Sequence, residues 1–237
     1  MLRYQLSGRK KHIGPSFSRK IYNLCTRLFL LSFMSIKRST TYFEKGGKEH
    51  TVETLKIALG AAKERGIETV VISSTTGYTA LEAVDIYKGS GLEVIVVTHQ
   101  TGYREPGVQL MPAETRKKLE DEGMKVYTGT DVLTGGVEIG ISRPRPPRGD
   151  PQPARMPTSP PPITTIIANL LRQFCQGVKV CVEIVMMAAD GGLVEPGKKV
   201  VSVAGSHAGA DTAMVVKAST SNRIKDMKFH EILCKPQ

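Results

Sequence analysis

The sequence predicts an α/β domain built on a mostly parallel β-sheet covered on both faces. Two patterns carry that expectation. Short runs of β-branched residues, VVI at 70–72 and LEVIVV at 92–97, are apolar without the alternation of a half-exposed strand. Segments with apolar residues at helical spacing separate them, giving repeated strand and helix alternation. A third feature is the punctuation, because the loops following the strands are rich in glycine and hydroxyl residues.

The elements follow in order from Ser39. TTYF at 40–43 predicts a short strand, and Val52, Leu55, Leu59 and Ala62 recur at helical spacing until Gly66 closes the helix. A strand at 68–72, a helix over 78–88 and a strand at 92–97 come next. A charged helix opened by Pro112 and ended by Gly123 precedes the strand MKVYTG at 124–129. After an interruption, ITTIIANLLRQFCQG predicts a helix and VKVCVEIVMMAADGG a second apolar run. Strands at 198–205, 212–217 and near 230–234 complete the domain.

Two segments stand outside this pattern. Residues 1–38 hold basic and hydroxyl residues and no acid, which fits either a mitochondrial transit peptide or an over-extended start with Met34 as initiator. The first reading places the protein in the mitochondrial matrix and the second in the cytoplasm. RPRPPRGDPQPARMPTSPPP, residues 143–162, carries nine of the fourteen prolines. With so few backbone donors it cannot join a packed sheet, and it is expected to be a disordered or polyproline-like insertion, a bystander loop or gene-model error rather than a PxxP partner site. The fold is therefore expected over 39–237 as a single domain with this interruption.

Charge and cysteines narrow the function. Of the formal charge of +11, nine positive residues precede the first acid, Glu44, so the body is near +2 and offers no evident basic surface for nucleic acid. LFLLSFM at 28–34 falls far short of the roughly 18 residues of a membrane span. Cys25, Cys175, Cys181 and Cys234 have no metal-ligand spacing, and the five histidines are scattered, so no metal site is expected.

The chemistry is expected at the carboxyl ends of the strands. Four polar loops follow strands there: SSTTGYT, THQTGYREPG, GTDVLTGG and GSHAGADT. In an open parallel sheet these loops share one edge. In SSTTGYT, the residues Ser73, Ser74, Thr75, Thr76, Gly77, Tyr78 and Thr79 join a strand to a helix. Unpaired N–H groups, a positive helix end and hydroxyl donors there suit a phosphate. Plain helix capping is the competing reading, though it needs only one hydroxyl. Gly77 is expected to let the backbone approach the anion, so that Gly77→Val abolishes ligand retention with the fold largely intact.

Candidate binding residues on the neighbouring loops are Thr98, His99, Thr101 and Gly102, and Gly205, Ser206 and His207. His99 reads as a ligand contact, a proton donor or a solvated loop residue. His207 reads as a ligand contact or a loop tip. Glu183, inside VCVEIVMMAA, must be partnered or face solvent. Asp190 and Asp211 read as loop caps, and Met186 and Met187 as core. Tyr78 and Tyr103 could stack on a flat ring. No close pair of titratable residues along the chain marks acid and base roles.

SSTTGYTA resembles the effector-phosphate loop of the carboxy-terminal domain of pyruvate kinases. Residues 39–142 and 163–237 are similar to a family of free-standing proteins named after that domain, with CQGVKVCVEIVMMAADGG and VAGSHAGADTAMVV the more specific match. The resemblance implies a three-layer α/β sandwich, a phosphate cradle at Ser73, Ser74, Thr75, Thr76, Gly77 and Thr79, and flavin mononucleotide (FMN) as ligand. Pyruvate kinases commonly place a basic residue where Tyr78 stands, and their catalytic barrel has no counterpart here. The sequence thus points to a protein that binds a phosphorylated small molecule and is not a pyruvate kinase, with a flavin-dependent enzyme or a regulatory, homo-oligomeric interaction domain as alternatives.

Overall fold

The computed structural model describes residues 35–137, 140 and 161–237. Thr40–Gln237 forms one compact unit, and the described residues before it, 35–39, have no regular structure. The leader to residue 34 and most of the proline-rich stretch, to residue 160, lie outside the described residues.

Seven strands form one sheet in the order β1-β7-β6-β5-β2-β3-β4. They are β1 (Thr41–Phe43), β2 (Thr69–Ser73), β3 (Glu93–His99), β4 (Lys125–Gly129), β5 (Lys199–Ala204), β6 (Thr212–Lys217) and β7 (Lys228–Pro236). The pairs β5–β2, β2–β3, β3–β4 and β1–β7 are parallel. Only β6 runs against its neighbours, because the seven residues 205–211 are too few for a crossover and fold β5 back as a hairpin, Ala204 opposite Thr212.

The helices are α1 (Thr51–Arg65), α2 (Tyr78–Tyr87), α3 (Ala113–Asp121), α4 (Ile163–Arg172) and α5 (Gln176–Asp190). Side chains alternate across the sheet and so sort into two cores. Val70, Ile72, Val94 and Val96 pack with Leu55, Ala80 and Leu119 of α1, α2 and α3. Val71, Ile95 and Val97 pack with Ala168, Val182 and Val185 of α4 and α5. The result is a three-layer α/β sandwich.

Helix α5 is buried nearly all round, with the sheet on one side and α4 on the other, which explains its continuous apolar run. Helix α1 stops at Gly66, whose φ of 61° lets the N–H of Ile67 bond back to Ala62 O at 2.9 Å. Burial also fixes the thiols: Cys181 and Cys234 lie inside, and their desolvation pushes both upward, Cys234 to about 12.

Tyr87 joins α2 to α1. Its hydroxyl donates to Leu55 O at 3.1 Å from a 5 % exposed side chain. Tyr87→Phe keeps the ring and removes the bond, so urea unfolding should show a loss of about 1 kcal/mol. Unchanged stability would mean that the two helices are held by apolar packing alone.

Candidate functional site

Because β2, β3, β4 and β5 point the same way, the loops that follow them all lie on one edge of the sheet. Strand β1 shares that direction through β7, so the turn Gly46-Gly47-Lys48 reaches the same edge. The chain leaves β2 toward β3 and leaves β5 the opposite way, into β6. Their carboxyl ends therefore flank a topological switch point, the usual place for a ligand crevice in such sheets.

The β2–α2 turn divides its hydroxyls between inside and outside. Ser74, 4 % exposed, accepts the N–H of Ala80 on its Oγ at 3.2 Å, and its own N–H donates to Val97 O. One serine thus does the capping. Thr79 is buried and Thr98 is 2 % exposed, with its hydroxyl donating to Thr75 O at 3.2 Å. Ser74 and Thr98, expected beside a ligand, thus make internal hydrogen bonds, and Thr79, expected there too, is buried. Ser73 ends β2, Thr75 is half-buried and Thr76 is exposed. The N–H groups of residues 75–79 donate to no acceptor among the described residues. Five adjacent main-chain donors thus lack a protein acceptor at the positive end of a ten-residue helix, with Thr76 exposed, Thr75 and Tyr78 half-buried, and Gly77 and Thr79 buried.

Gly77 has a φ of 99°, and a Cβ there would stand 2.3 Å from Cγ2 of Thr115 on α3. The glycine is required by its backbone and by packing against α3. This corrects the expectation for Gly77→Val: that change would strain the turn and force the Thr115 side chain to move, so it cannot isolate an effect on ligand.

Other loops close around the turn. The Lys48 ammonium lies 3.9 Å from the centre of the Tyr78 ring. Lys48 also packs against Gly209, where an added Cβ would lie 2.9 Å from its Cα, and Thr51 accepts the Ala210 N–H at 3.0 Å. Gly205 is confined by Gly209 O, 2.4 Å from where its Cβ would be. Ser206 donates its N–H to the buried Asp211 carboxylate at 3.1 Å, and Thr212 donates to it at 2.8 Å. Asp211 therefore shapes this hairpin, while His207 is exposed near its tip.

His99 is the last residue of β3 rather than a loop residue, and it points to the face opposite Thr98. Its Nδ1 lies 2.9 Å from both carboxylate oxygens of Asp131, just past β4, and its ring stacks on Tyr103 at 3.9 Å. Thr101 and Gly102 sit in the following loop, which is closed by Gly102 N–H to Val108 O at 2.9 Å; Thr101 is exposed. The loop carrying Asp131 is fastened to α5. Glu183, 3 % exposed, accepts the N–H groups of Leu133 and Thr134 at 2.8 and 3.1 Å and pairs with Lys179, itself 2 % exposed. Lys179 also donates to the Thr134 hydroxyl at 2.8 Å. Glu183 is thus the partnered residue of the two alternatives.

Three contributors were not singled out from sequence. Asp131 lies 32 positions from its histidine. Lys179 had a signal in its i,i+4 spacing from Glu183, and Lys48 had one in following two glycines. Among the described residues no group of acids, histidines and cysteines forms a metal site, and no helix is long and apolar enough to cross a membrane. A cleft of about 510 Å3 opens at the opposite edge, between the starts of β2, β3 and β5. Glu68, Glu93 and Glu195 line it, and the Lys125 ammonium holds Glu93 below the usual carboxylate range. Lys198 also lines it and pairs with Glu195 at 3.5 Å.

The chain matches no family model. Among solved structures it is similar to Cryptosporidium parvum pyruvate kinase in complex with ADP, at 15 % identity and a TM-score of 0.32. That match covers 90 % of this chain and 27 % of the pyruvate kinase, so the chain spans about a quarter of that enzyme's length. It is also similar to the SAH-bound Podospora anserina methyltransferase PaMTH1, at 10 % identity and a TM-score of 0.26, over 82 % of this chain and 72 % of the other. The α/β assignment rests on the sheet itself.

Lys179→Met tests the fastening of the Asp131 loop. It leaves Glu183 buried without its cation, and chemical denaturation should show a loss of about 3–5 kcal/mol. Lys179→Met with Glu183→Leu should recover part of it. A single variant as stable as the parent would show that the pair does not hold the loop.

Proposed function

We propose that this protein binds a phosphorylated small molecule at the carboxyl rim of its sheet, with the phosphate on the β2–α2 turn. The observation that carries the reading is the run of N–H donors at residues 75–79 without an acceptor among the described residues, with the exposed Thr76 in that run. Lys48, held over Tyr78 from another loop, adds a positive charge at the same helix end. An α/β domain of this architecture is compatible with small-molecule binding in general.

FMN is the ligand we put forward, on the resemblance of SSTTGYTA and its companion segments to the pyruvate kinase carboxy-terminal-domain family. The donor set suits its phosphate. The rings that could flank its isoalloxazine, Tyr78 and Tyr103, each already have one face covered, by Lys48 and His99. A flavin bound here would stack on what remains of those rings or on neither. The chain carries no counterpart of the pyruvate kinase catalytic barrel, so transfer from phosphoenolpyruvate is not part of the proposal.

Visible absorbance and a fluorescence titration with FMN test this reading. The parent protein should bind FMN, and release of free flavin on denaturation should account for any colour. Thr76→Ala should weaken binding about fivefold, the usual loss of about 1 kcal/mol for one hydrogen bond. Lys48→Met should weaken it further as salt is lowered, because the lost attraction is strongest when unscreened. A protein that ignores FMN in the titration would remove flavin as the ligand, and unchanged binding in both variants would place any flavin elsewhere.

A further inference from the structure

We infer that His99 and Asp131 form a proton-transfer dyad, with His99 Nε2 as the atom that takes a proton from a ligand or water at this rim. The two residues are brought together by adjacent parallel strands, since β3 ends in His99 and the chain leaving β4 supplies Asp131. Nδ1 sits 2.9 Å from each carboxylate oxygen. Asp131 is 5 % exposed, so the contact is shielded on its side, while the His99 side chain remains 29 % exposed. The carboxylate can only accept, so Nδ1 carries the proton and the neutral ring keeps its lone pair on Nε2.

The ring's other freedoms are already spent. Tyr103 covers one face in a stack tilted by only 3°. Gln109 donates to His99 O at 3.2 Å and holds the backbone in place. Asp131 is fixed in turn, because Gly135 N–H bonds to its carbonyl at 2.8 Å and Leu133 and Thr134, two and three positions on, are anchored on Glu183. Lys179, Glu183 and Thr134 are therefore positioning residues for the dyad. Nε2 has no partner among the described residues. A base oriented by a buried acid, with its second nitrogen left open, is the arrangement general-base catalysis requires.

The site also lies next to the proposed anion turn. Thr98, one residue before His99, donates to Thr75 O within that turn. A ligand anchored by its phosphate there would have to cross the end of β3 to reach Nε2, because His99 points to the face opposite Thr98. In the step proposed, an O–H, N–H or C–H of that ligand, or a water, gives its proton to Nε2; the bonding pair stays on the donor atom. The imidazolium so formed holds both N–H protons, with Nδ1–H still on Asp131. The identity of the substrate rests on the phosphate-turn reading, whereas the dyad's geometry does not.

Nitrogen-15 NMR of the imidazoles in the labelled full chain tests the inference. The neutral His99 ring should show a protonated Nδ1 and a bare Nε2, and a neutral ring protonated on Nε2 in the parent protein would overturn it. Diethyl pyrocarbonate gives a second readout by residue-resolved mass spectrometry. Its carbonyl is attacked by a bare Nε2, ethyl carbonate leaves, and the Nδ1 proton is released. In Asp131→Asn the side-chain amide can donate to Nδ1 and reverse the tautomer, so modification of His99 should fall about tenfold or more. His207, exposed on another loop, serves as the internal control. An unchanged rate at His99 in that variant would also sink the dyad. FMN binding is read separately: a protein that ignores FMN yet shows the bare Nε2 loses only the ligand assignment, and one that binds FMN with a neutral His99 ring protonated on Nε2 loses only the dyad.

Discussion

The parallel ladder of β5, β2, β3 and β4 constrains the rest of this molecule. Its strands are apolar on both faces, so helices must cover each side and each parallel connection must cross over. Strand ends that share one direction then collect their loops on one rim. Polar groups gather there because the interior of the sheet has no room for them. The same direction sets the positive end of α2 at that rim, just where the chain turns out of β2.

Two polar arrangements share the rim and divide along the faces of the sheet. On the face of α1, α2 and α3, the turn at 73–79 presents main-chain donors with Lys48 nearby. On the face of α4 and α5, His99 and Asp131 meet above a buried Lys179–Glu183 pair. Thr98 and His99, adjacent on β3, bridge the two because successive side chains point to opposite faces. Removing two charges from water costs more than their attraction alone repays, so the Lys179–Glu183 pair depends on the loop N–H groups and the Thr134 hydroxyl that complete it. That dependence couples the packing of α5 to the placement of Asp131.

Much of the fold was legible in local pattern. VVI at 70–72 and LEVIVV at 92–97 announce two-sided burial, and Gly66 marks the end of α1 by an αL turn that few other residues favour. The rim was legible too, since hydroxyl and glycine residues follow each strand. What could not be read was which groups would be used up internally. Ser74 and Thr98 look like Thr76 in sequence, yet register turns the first two inward. His99 and Asp131 pair only through the β3–β4 ladder, so their spacing along the chain carries no signal. Gly77 was legible only as a point of backbone approach, because its crowding by Thr115 comes from a helix that begins 36 positions on.

The amides of residues 75–79, at the start of α2, have no acceptor among the described residues. Backbone amide NMR of the full chain during addition of inorganic phosphate addresses them directly. Shifts confined to residues 75–79 and the Lys48 turn, saturating with phosphate and absent with chloride at equal ionic strength, are the predicted result. Phosphate that leaves those amides unmoved, or moves only residues at the opposite edge of the sheet, would contradict the account.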